Sequence, residues 1–379
     1  MPDGRTTAKR SPATARLSPR VPIPPSETQS GCAADALAAD RPRRSLNLAL
    51  QGGGSHGAFT WGVLDRLLEE DGIEIEGISG TSAGAMNAAV VAQGMAIGGR
   101  EEARRLLGAF WDRVGQAAEW NPVRRSPFDM LMGRWNIDAS PAAMVADLAH
   151  RVASPYQFNP MNLSPLRDVL ETVIDTDHIR HSPVKLFVSA TNVRTGRIRV
   201  FDHNDVSIDA LLASACLPSL FQAVEIDGDP HWDGGYIGNP ALWPMIYGCE
   251  SADIVIVQIN PLIREGTPRT AVDIVNRLNE ISFNSSLMNE MRAISFVENL
   301  IAQDHLNGSS AERYKKMHIH RIHAEEEMRS LGATSKLNAE RAFLLHLHGV
   351  GRSAADQWLK AHGQEIGRKS TVDIRSTYL

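Results

Sequence analysis

The sequence predicts an α/β fold in which helices cover both faces of a largely parallel sheet. Short apolar segments alternate with segments of helical periodicity, and two glycine-rich motifs stand where an apolar segment passes into a helix. With 43% apolar and 22% charged residues, the 379-residue chain can bury a large core without disulfides or a metal. Its net charge of −5 argues against nucleic-acid binding. Cys32, Cys216 and Cys249 are too far apart to form a disulfide framework or a CxxC metal pair.

Short apolar segments predict the strands, in chain order. The predicted strands are 46–50, 73–78, 184–191, 197–201, 253–259 and 317–323. The third and fourth form a hairpin around Thr195-Gly196, because glycine is typical of tight turns. A further hairpin turn is predicted at Asp227-Gly228, between Ile226 and Trp232.

Helices are predicted where apolar residues recur at helical spacing. In the first helix, valine and leucine side chains between residues 63 and 68 share one face. Ser164-Pro165 is typical of an N-cap followed by the first helical residue. The predicted helices are 58–70, 83–93, 101–114, 165–173, 208–213 and most of 270–303, with two more after the last strand.

Residues 1–44 differ in composition from the rest of the chain. They contain seven of the twenty prolines, no aromatic residue and eight basic against four acidic side chains. Such a segment buries too little apolar surface to fold, so it is predicted to be a disordered leader. It has no apolar signal-peptide region. No apolar segment anywhere in the chain is long enough to span a membrane. We therefore expect a cytoplasmic protein, soluble or peripheral on membranes, with export as an effector as the alternative.

The first glycine motif, Gly52-Gly53-Gly54-Ser55-His56-Gly57, lies between a predicted strand and helix. Glycines permit close backbone approach, and the free N–H groups at the start of a helix bind anions. The motif also fits a dinucleotide-binding loop. Glu76 lies about 20 residues further on, where such a fold places its ribose-binding acid. This motif alone leaves both interpretations open.

The second motif, Gly80-Thr81-Ser82-Ala83-Gly84, indicates a nucleophile elbow. A serine on so sharp a strand-to-helix turn needs small neighbours, which Gly80, Ala83 and Gly84 supply. If the two strands that precede these motifs are adjacent and parallel, both motifs lie at the same edge of the sheet. The N–H groups of the first motif can then stabilise an oxyanion that forms over Ser82.

The third motif is Asp233-Gly234-Gly235. Asp-Gly is often only a turn. Here, however, Asp233 follows a strand residue, and the two glycines allow a neighbouring backbone or a substrate to come close. Asp233 is therefore a candidate partner for Ser82.

Together, in this order, the three motifs resemble the patatin-like phospholipase family, whose pattern is GGGx(R/K)G, GxSxG and DG(A/G). The resemblance covers about residues 45–262 and implies a three-layer α/β/α sandwich with a mostly parallel central sheet. It implies Ser82 as nucleophile, Asp233 as base and an oxyanion hole shaped by Gly52, Gly53 and Gly54. The supporting motif residues are Ser55, His56, Gly57, Gly80, Gly84, Gly234 and Gly235. Residues 263–379 are predicted to form a mostly helical extension packed on this core.

His56 departs from the family pattern, which has arginine or lysine at this position. An ordinary histidine has a pKa near 6.5, so a fixed charge beside the anion site would become a titratable one. We therefore expect the activity to depend on pH between about 6 and 7.5, through the titration of His56.

The predicted function is a serine lipid acyl hydrolase of the phospholipase A or lipase-esterase type. Its expected partner is an acyl-lipid substrate, met at a membrane surface, and it is expected to need no cofactor or metal. Two alternatives are a dinucleotide-binding oxidoreductase and a catalytically silent binding protein on the same scaffold. Residues 115–163 hold many large apolar side chains, which form either a small core layer or an acyl-chain groove or lid. A triad through Asp304 and His305 is a weaker alternative to the Ser–Asp dyad.

Overall fold

The structure is a computed structural model that describes residues 43–119, 125, 129–130, 132, 135–137, 153–303 and 314–379. The leader predicted over 1–44 lies, up to residue 42, outside the described residues. Asp304 and His305 of the weaker triad hypothesis also lie outside them.

The strands form one mixed sheet around β1, whose last five residues are buried. The strands are β1 (Arg44–Leu50), β2 (Ile73–Gly80), β3 (Lys185–Asn192), β4 (Ile198–Asp202), β5 (Val224–Ile226), β6 (Asp229–Asp233), β7 (Asp253–Gln258) and β8 (His318–His323). Their order is β5-β6-β3-β2-β1-β7-β8, and β4 pairs with the other edge of β3. Strands β3, β2, β1, β7 and β8 are mutually parallel, which confirms the predicted mostly parallel sheet.

Helices follow most of the strands. They are α1 (Gly57–Leu67), α2 (Ala83–Ala118), α3 (Pro155–Phe158), α4 (Pro165–Val173), α5 (Thr176–Arg180), α6 (Ile208–Ser214), α7 (Trp243–Gly248), α8 (Ala271–Ala302), α9 (Glu325–Arg329), α10 (Arg341–His362) and α11 (Ile374–Tyr378). Helix α2 is kinked at Gly98 and Gly99, whose backbone angles are not helical. The sequence predicted two helices here, separated at about this point.

Apolar side chains form a core on each face of the sheet. One core joins the sheet to α1, α2 and α10, which contribute Phe59, Phe110 and Phe343. The other joins it to α7 and α8, which contribute Met245 and Leu287. The helices on the two faces and the sheet between them make the three layers of the predicted α/β/α sandwich.

Strand β6 reaches the end of β2 because β3 changes partner along its length. Residues 185–188 of β3 pair with β2, and residues 190–192 pair with β6. Since β6 runs antiparallel to β3 and β2 runs parallel to it, the two strands point towards each other. The last residue of β6, Asp233, therefore lies near Gly80, the last residue of β2, and near the turn that carries Ser82.

Residues beyond 262 are integrated with the rest of the chain. Strand β8 pairs in parallel with β7 along six residues of each strand. Helix α10 crosses α1 so closely that a Cβ on Gly62 would overlap the carbonyl oxygen of His348. Residues 43–379 form one compact unit. The predicted boundary near residue 262 stays a prediction.

In the described part of the chain, no helix combines the length and the apolar character that crossing a membrane requires.

Candidate active site

Ser82 stands on a sharp turn between β2 and α2. Its backbone has φ 53° and ψ −124°, a region that a residue with a side chain seldom occupies. The glycines around it are needed for close packing. A Cβ on Gly80 would lie 2.6 Å from the backbone of Gly84, and one on Gly84 would overlap the carbonyl oxygen of Leu50. The turn thus carries Ser82 to the N-terminus of α2.

The backbone of Ser82 is held by a hydrogen bond, and its side chain lies beside Asp233. Its backbone N–H donates to the hydroxyl oxygen of Ser214, 2.9 Å away. Its own hydroxyl acts on the carboxylate of Asp233, whose pKa it lowers, and both side chains line one cavity. The second contact brings together the two side chains that the sequence proposed as nucleophile and base.

Asp233 is 1% exposed, and its position is fixed from several sides. Its backbone N–H donates to the carbonyl oxygen of Cys216 (2.8 Å), and the hydroxyl of Thr191 donates to its own carbonyl oxygen (2.8 Å). The N–H of Gly235 donates to its carboxylate oxygen Oδ1 (2.7 Å). Burial raises the pKa of Asp233 to about 7, against the smaller opposing effects of the Gly235 N–H, the Ser82 hydroxyl and the Lys336 ammonium.

Gly234 and Gly235 follow Asp233 where no side chain fits. A Cβ on Gly234 would overlap the carbonyl oxygen of Ser189, and one on Gly235 would overlap the ring of Phe283. The two glycines let the chain turn between β3 and α8 with the Asp233 carboxylate facing Ser82.

The three glycines of the first motif have different roles in the structure. The N–H of Gly52 donates to the side-chain oxygen of Asn239 (2.7 Å), so it is not available to an oxyanion. Its lack of a side chain matters instead, because a Cβ there would lie 2.9 Å from the Cβ of Ser82. Gly53 and Gly54 line the cavity at Ser82, and among the described residues their N–H groups have no acceptor. These two N–H groups are the candidate oxyanion donors.

His56 does not carry the titratable charge that the sequence suggested. Its ring is 3% exposed, packs edge-on against Phe343 and shares a 2.8 Å hydrogen bond between Nε2 and the hydroxyl oxygen of Ser335. Burial lowers the pKa of His56 well below its usual value, and the ammonium of Lys336 lowers it further. The expected His56 titration between pH 6 and 7.5 is therefore wrong, because the imidazole stays neutral in that range.

The remaining residues of the first motif support its shape. Ser55 is buried and lines the cavity. A Cβ on Gly57 would lie 2.6 Å from the Cβ of Ala83, so this glycine lets α1 pass close to the residue after Ser82.

A cavity of about 550 Å³ opens beside Ser82 and Asp233. Its apolar wall comprises Met86, Phe110, Trp111, Val114, Leu166, Leu217, Leu220, Phe221, Phe283 and Leu337. Among the described residues that line it, only Asp233 and Lys336 carry a charge. For segment 115–163, the sequence left two interpretations open, a core layer or an acyl-chain groove. The residues of this segment that the structure describes do not line the cavity. The rest of the segment lies outside the described residues.

Three residues of the site were missed by the sequence analysis. Asn239 orients Gly52, and Ser214 orients Ser82. Lys336 reaches the cavity from a short 3₁₀ turn, Thr334–Leu337. Nothing in the sequence around Lys336 connects it with the three motifs.

Other polar and titratable side chains are engaged away from the site. The carboxylate of Glu76 accepts hydrogen bonds from the backbone N–H groups of Glu250 and Ser251 and from Lys185 Nζ. It is therefore not free to bind a ribose, as the dinucleotide alternative requires. His318 and His320 both contact the carboxylate of Asp253 at the start of β7, at the end of the sheet away from Ser82.

The sequence model of one protein family, patatin-like phospholipase, matches residues 48–246. The chain belongs to this family. It is therefore a hydrolase that acts on ester bonds of lipids, and the matched region contains all three motifs.

Solved structures similar to this chain share few identical residues with it. VipD from Legionella pneumophila is 15% identical with a TM-score of 0.37, over 85% of this chain and 67% of VipD. The type III effector protein ExoU is 16% identical with a TM-score of 0.27, over 81% of this chain and 54% of ExoU. The ExoU–SpcU complex of Pseudomonas aeruginosa gives 16% identity and a TM-score of 0.28, over 88% of this chain and 73% of the matched one. The chain thus spans about two thirds of VipD and half of the first ExoU structure. No curated protein sequence matches it.

Proposed function

We propose that this patatin-like phospholipase cleaves carboxylic esters of acyl lipids through a Ser82–Asp233 dyad and an acyl-enzyme. The observation that carries the proposal is that Ser82, on its strained turn, and the buried carboxylate of Asp233 line the same apolar cavity. Burial raises the pKa of Asp233 to about 7, which makes it a stronger base than an ordinary carboxylate.

In the first half of the reaction, Ser82 Oγ attacks the ester carbonyl while its proton passes to Asp233. The N–H groups of Gly53 and Gly54 stabilise the oxyanion, and the N-terminus of α2 adds its positive end. Asp233 then gives the proton to the departing alcohol, which leaves an acyl group on Ser82.

In the second half, water replaces the alcohol. Asp233 takes a proton from the water as it attacks the acyl carbonyl, and the same two N–H groups stabilise the second oxyanion. When the bond to Ser82 Oγ breaks, the proton returns from Asp233 to Ser82. A fatty acid leaves, and the free enzyme is restored without any change in its charge.

The lining of the cavity supports an acyl chain as the part of the substrate that binds. Phe110, Trp111, Leu220 and Phe283 present apolar surface next to Ser82. A volume of about 550 Å³ lies within the range of sites that enclose small molecules. The substrate class we infer is therefore an acyl lipid, delivered from a membrane surface.

Covalent labelling by a fluorophosphonate tests the proposal directly. The unaltered chain should form a stable adduct at Ser82, located by mass spectrometry of the tryptic peptide. Ser82→Ala should give no adduct, and Ser353→Ala, which alters an exposed serine of α10, should label at the full rate. An unlabelled wild-type chain that hydrolyses no ester would contradict the proposal. NAD(H) binding by such a chain would favour the oxidoreductase alternative.

A further inference from the structure

Lys336 occupies an unusual place for a lysine. Its ammonium lines the apolar cavity together with Ser82 and Asp233. Two amide oxygens hold it there, Oδ1 of Asn260 at 2.9 Å and Oδ1 of Asn279 at 2.8 Å. The ammonium also lies 5.0 Å from the ring centre of Phe283. Neither amide carries a charge that would neutralise the lysine.

The backbone of Lys336 touches the oxyanion loop as well. Gly54 has φ +57°, and a Cβ there would overlap the carbonyl oxygen of Lys336. The preceding residue, Ser335, bonds to His56 of the same loop. Residue 336 lies 90 positions beyond the end of the family match at 246. This part of the site is therefore not assigned by the family.

Two carboxylates act on Lys336, and Asp233 is the one without an arginine partner among the described residues. Glu280 also faces Lys336, but its carboxylate is bound by Arg264 (2.6 Å) and Arg277 (3.1 Å). Among the described residues, Asp233 makes no salt bridge of its own. Its charge and that of Lys336 act on each other across the cavity.

Apart from Glu280 and its two arginines, the titratable groups near the pair are neutral around pH 7. His56 is held neutral by burial and by the Lys336 charge. Burial raises the pKa of the Cys216 thiol to about 12, and it raises the pKa of Tyr236 as well. Lys336 remains mostly protonated, because burial lowers its pKa only to about 8. Lys336 and Asp233 are therefore the two charges at this site that have no salt bridge among the described residues.

We propose that Lys336 is a positioning residue of this active site, whose ammonium increases the ionised fraction of Asp233, the form that acts as the base. The inference rests on the proposed dyad and adds to it a residue from the C-terminal part of the chain. Lys336 takes no proton and forms no covalent bond in the reaction. It acts only by favouring the carboxylate over the carboxylic acid in the free enzyme.

The replacement Lys336→Met tests this, because methionine fills similar space without charge. The Lys336 charge lowers the pKa of Asp233, but it does so less than the Gly235 N–H or the Ser82 hydroxyl, so its loss should raise that pKa by up to about one unit. The acid limb of kcat/KM on a soluble short-chain ester should move to higher pH by the same amount. A one-unit rise from about 7 lowers the ionised fraction at pH 7 about fivefold. Activity should recover at pH 9, where Asp233 is ionised in both proteins.

Three further variants separate charge from packing. Lys336→Arg restores a cation and should return the acid limb towards its wild-type position. Asn279→Asp keeps the lysine but places a carboxylate beside it, so it should move the limb in the same direction as Lys336→Met. It also keeps the test valid if Lys336→Met fails to fold. Lys360→Met removes a lysine from the surface of α10 and should leave the pH profile unchanged.

Several outcomes would overturn the inference. An equal loss at every pH with an unmoved acid limb would mean that residue 336 only supports the loop. A loss confined to KM for phospholipid vesicles, with normal hydrolysis of the uncharged soluble ester, would make it a headgroup site. The pH dependence of fluorophosphonate labelling should show the same shift as kcat/KM. Normal labelling with an unmoved limb removes this inference alone, whereas an unlabelled wild-type chain removes the proposed dyad with it.

Discussion

At the scale of single residues, the candidate site depends on a carboxylate kept out of water. Asp233 is buried beside the uncharged hydroxyl of Ser82, and the Gly235 N–H donates to its carboxylate. Its basicity therefore comes from desolvation. The same desolvation opposes folding whenever the carboxylate is ionised.

Asp233→Asn should abolish ester hydrolysis and stabilise the fold at neutral pH. The pKa of Asp233 is about 7 in the folded chain and near 4 when unfolded, so the folded chain binds more protons between these values. Wild-type stability therefore falls as pH rises from 4 to 7, and the asparagine variant lacks this fall. Between pH 5 and 8 its advantage should grow by about 2–3 kcal/mol, measured by urea unfolding.

Ser82→Ala is the matched control for that measurement. It should be equally inactive but keeps the buried carboxylate, so its stability should still fall between pH 5 and 8. An Asp233→Asn variant whose stability parallels that of Ser82→Ala at both pH values would show that Asp233 is not desolvated as described.

Gly54→Ala should remove most of the activity. The residue has φ +57°, and an added Cβ would overlap the carbonyl oxygen of Lys336, so the loop that carries the candidate oxyanion donors must move. Losing one such donor typically costs about 100–1000-fold in kcat. Gly196→Ala is the control, because Gly196 has φ +65° with open space around it. It introduces the same backbone strain away from the site. Equal kcat values for the two variants would contradict the assigned role of Gly54.

At this scale, the sequence identified those site residues that belong to a short motif. Ser82 and the glycines beside it could be identified because a sharp turn demands small residues at fixed spacing. Asn239 and Lys336 could not, since they meet the glycine loop from 187 and 282 positions away through tertiary contacts. His56 was misjudged for the same reason: its neutral state depends on burial under Phe343 and on Lys336.

At the scale of elements, the contact between α1 and α10 depends on glycines, which have no side chain. A Cβ on Gly351 would overlap the carbonyl oxygen of Phe59, as one on Gly62 would overlap that of His348. The two helix backbones thus approach more closely than residues with side chains allow. Because α1 begins directly after the oxyanion loop, this contact also supports the site.

Gly351→Ala should destabilise the protein by at least about 1–3 kcal/mol, because the new methyl group forces α10 away from α1. Gly349 lies on the same helix with no atom near its Cβ position. Gly349→Ala should therefore be neutral or stabilise the chain by up to about 1 kcal/mol, the usual helix preference for alanine. Thermal unfolding of both variants measures the difference. Equal melting temperatures would mean that the helices do not pack at these glycines.

Elements with strong periodicity were predictable, and those defined by tertiary contacts were not. Helix α4 was predicted over 165–173 and found as Pro165–Val173, because Ser164-Pro165 marks its start. The kink of α2 coincides with the predicted gap between two helices, since Gly98 and Gly99 weaken the helix. The short helices α3, α5 and α7 were missed, because four to six residues carry too little periodicity to detect.

At the scale of the whole molecule, the C-terminal third of the chain supplies parts of the sheet, of both helical layers and of the candidate site. Strand β8 closes the sheet beside β7, α8 covers one face, and α10 covers the other. The 3₁₀ turn Thr334–Leu337 lies against the oxyanion loop. The last sequence motif ends at Gly235 and the family match at residue 246, so motif spacing alone could not reveal this dependence.

Removing residues 263–379 should therefore prevent cooperative folding. A chain that ends at residue 262 exposes β7 as an edge strand and uncovers the apolar residues that α8 and α10 bury, among them Phe59 and Ile256. It should bind a hydrophobic dye, lack a sharp thermal transition and leave Ser82 unlabelled by a fluorophosphonate. The control is a chain that starts at residue 43, which the composition of the leader predicts to keep full stability and activity on soluble esters. A chain of residues 43–262 that unfolds cooperatively and labels at Ser82 would show that the motif-bearing part folds alone. It would support the domain boundary that the sequence predicts near residue 262.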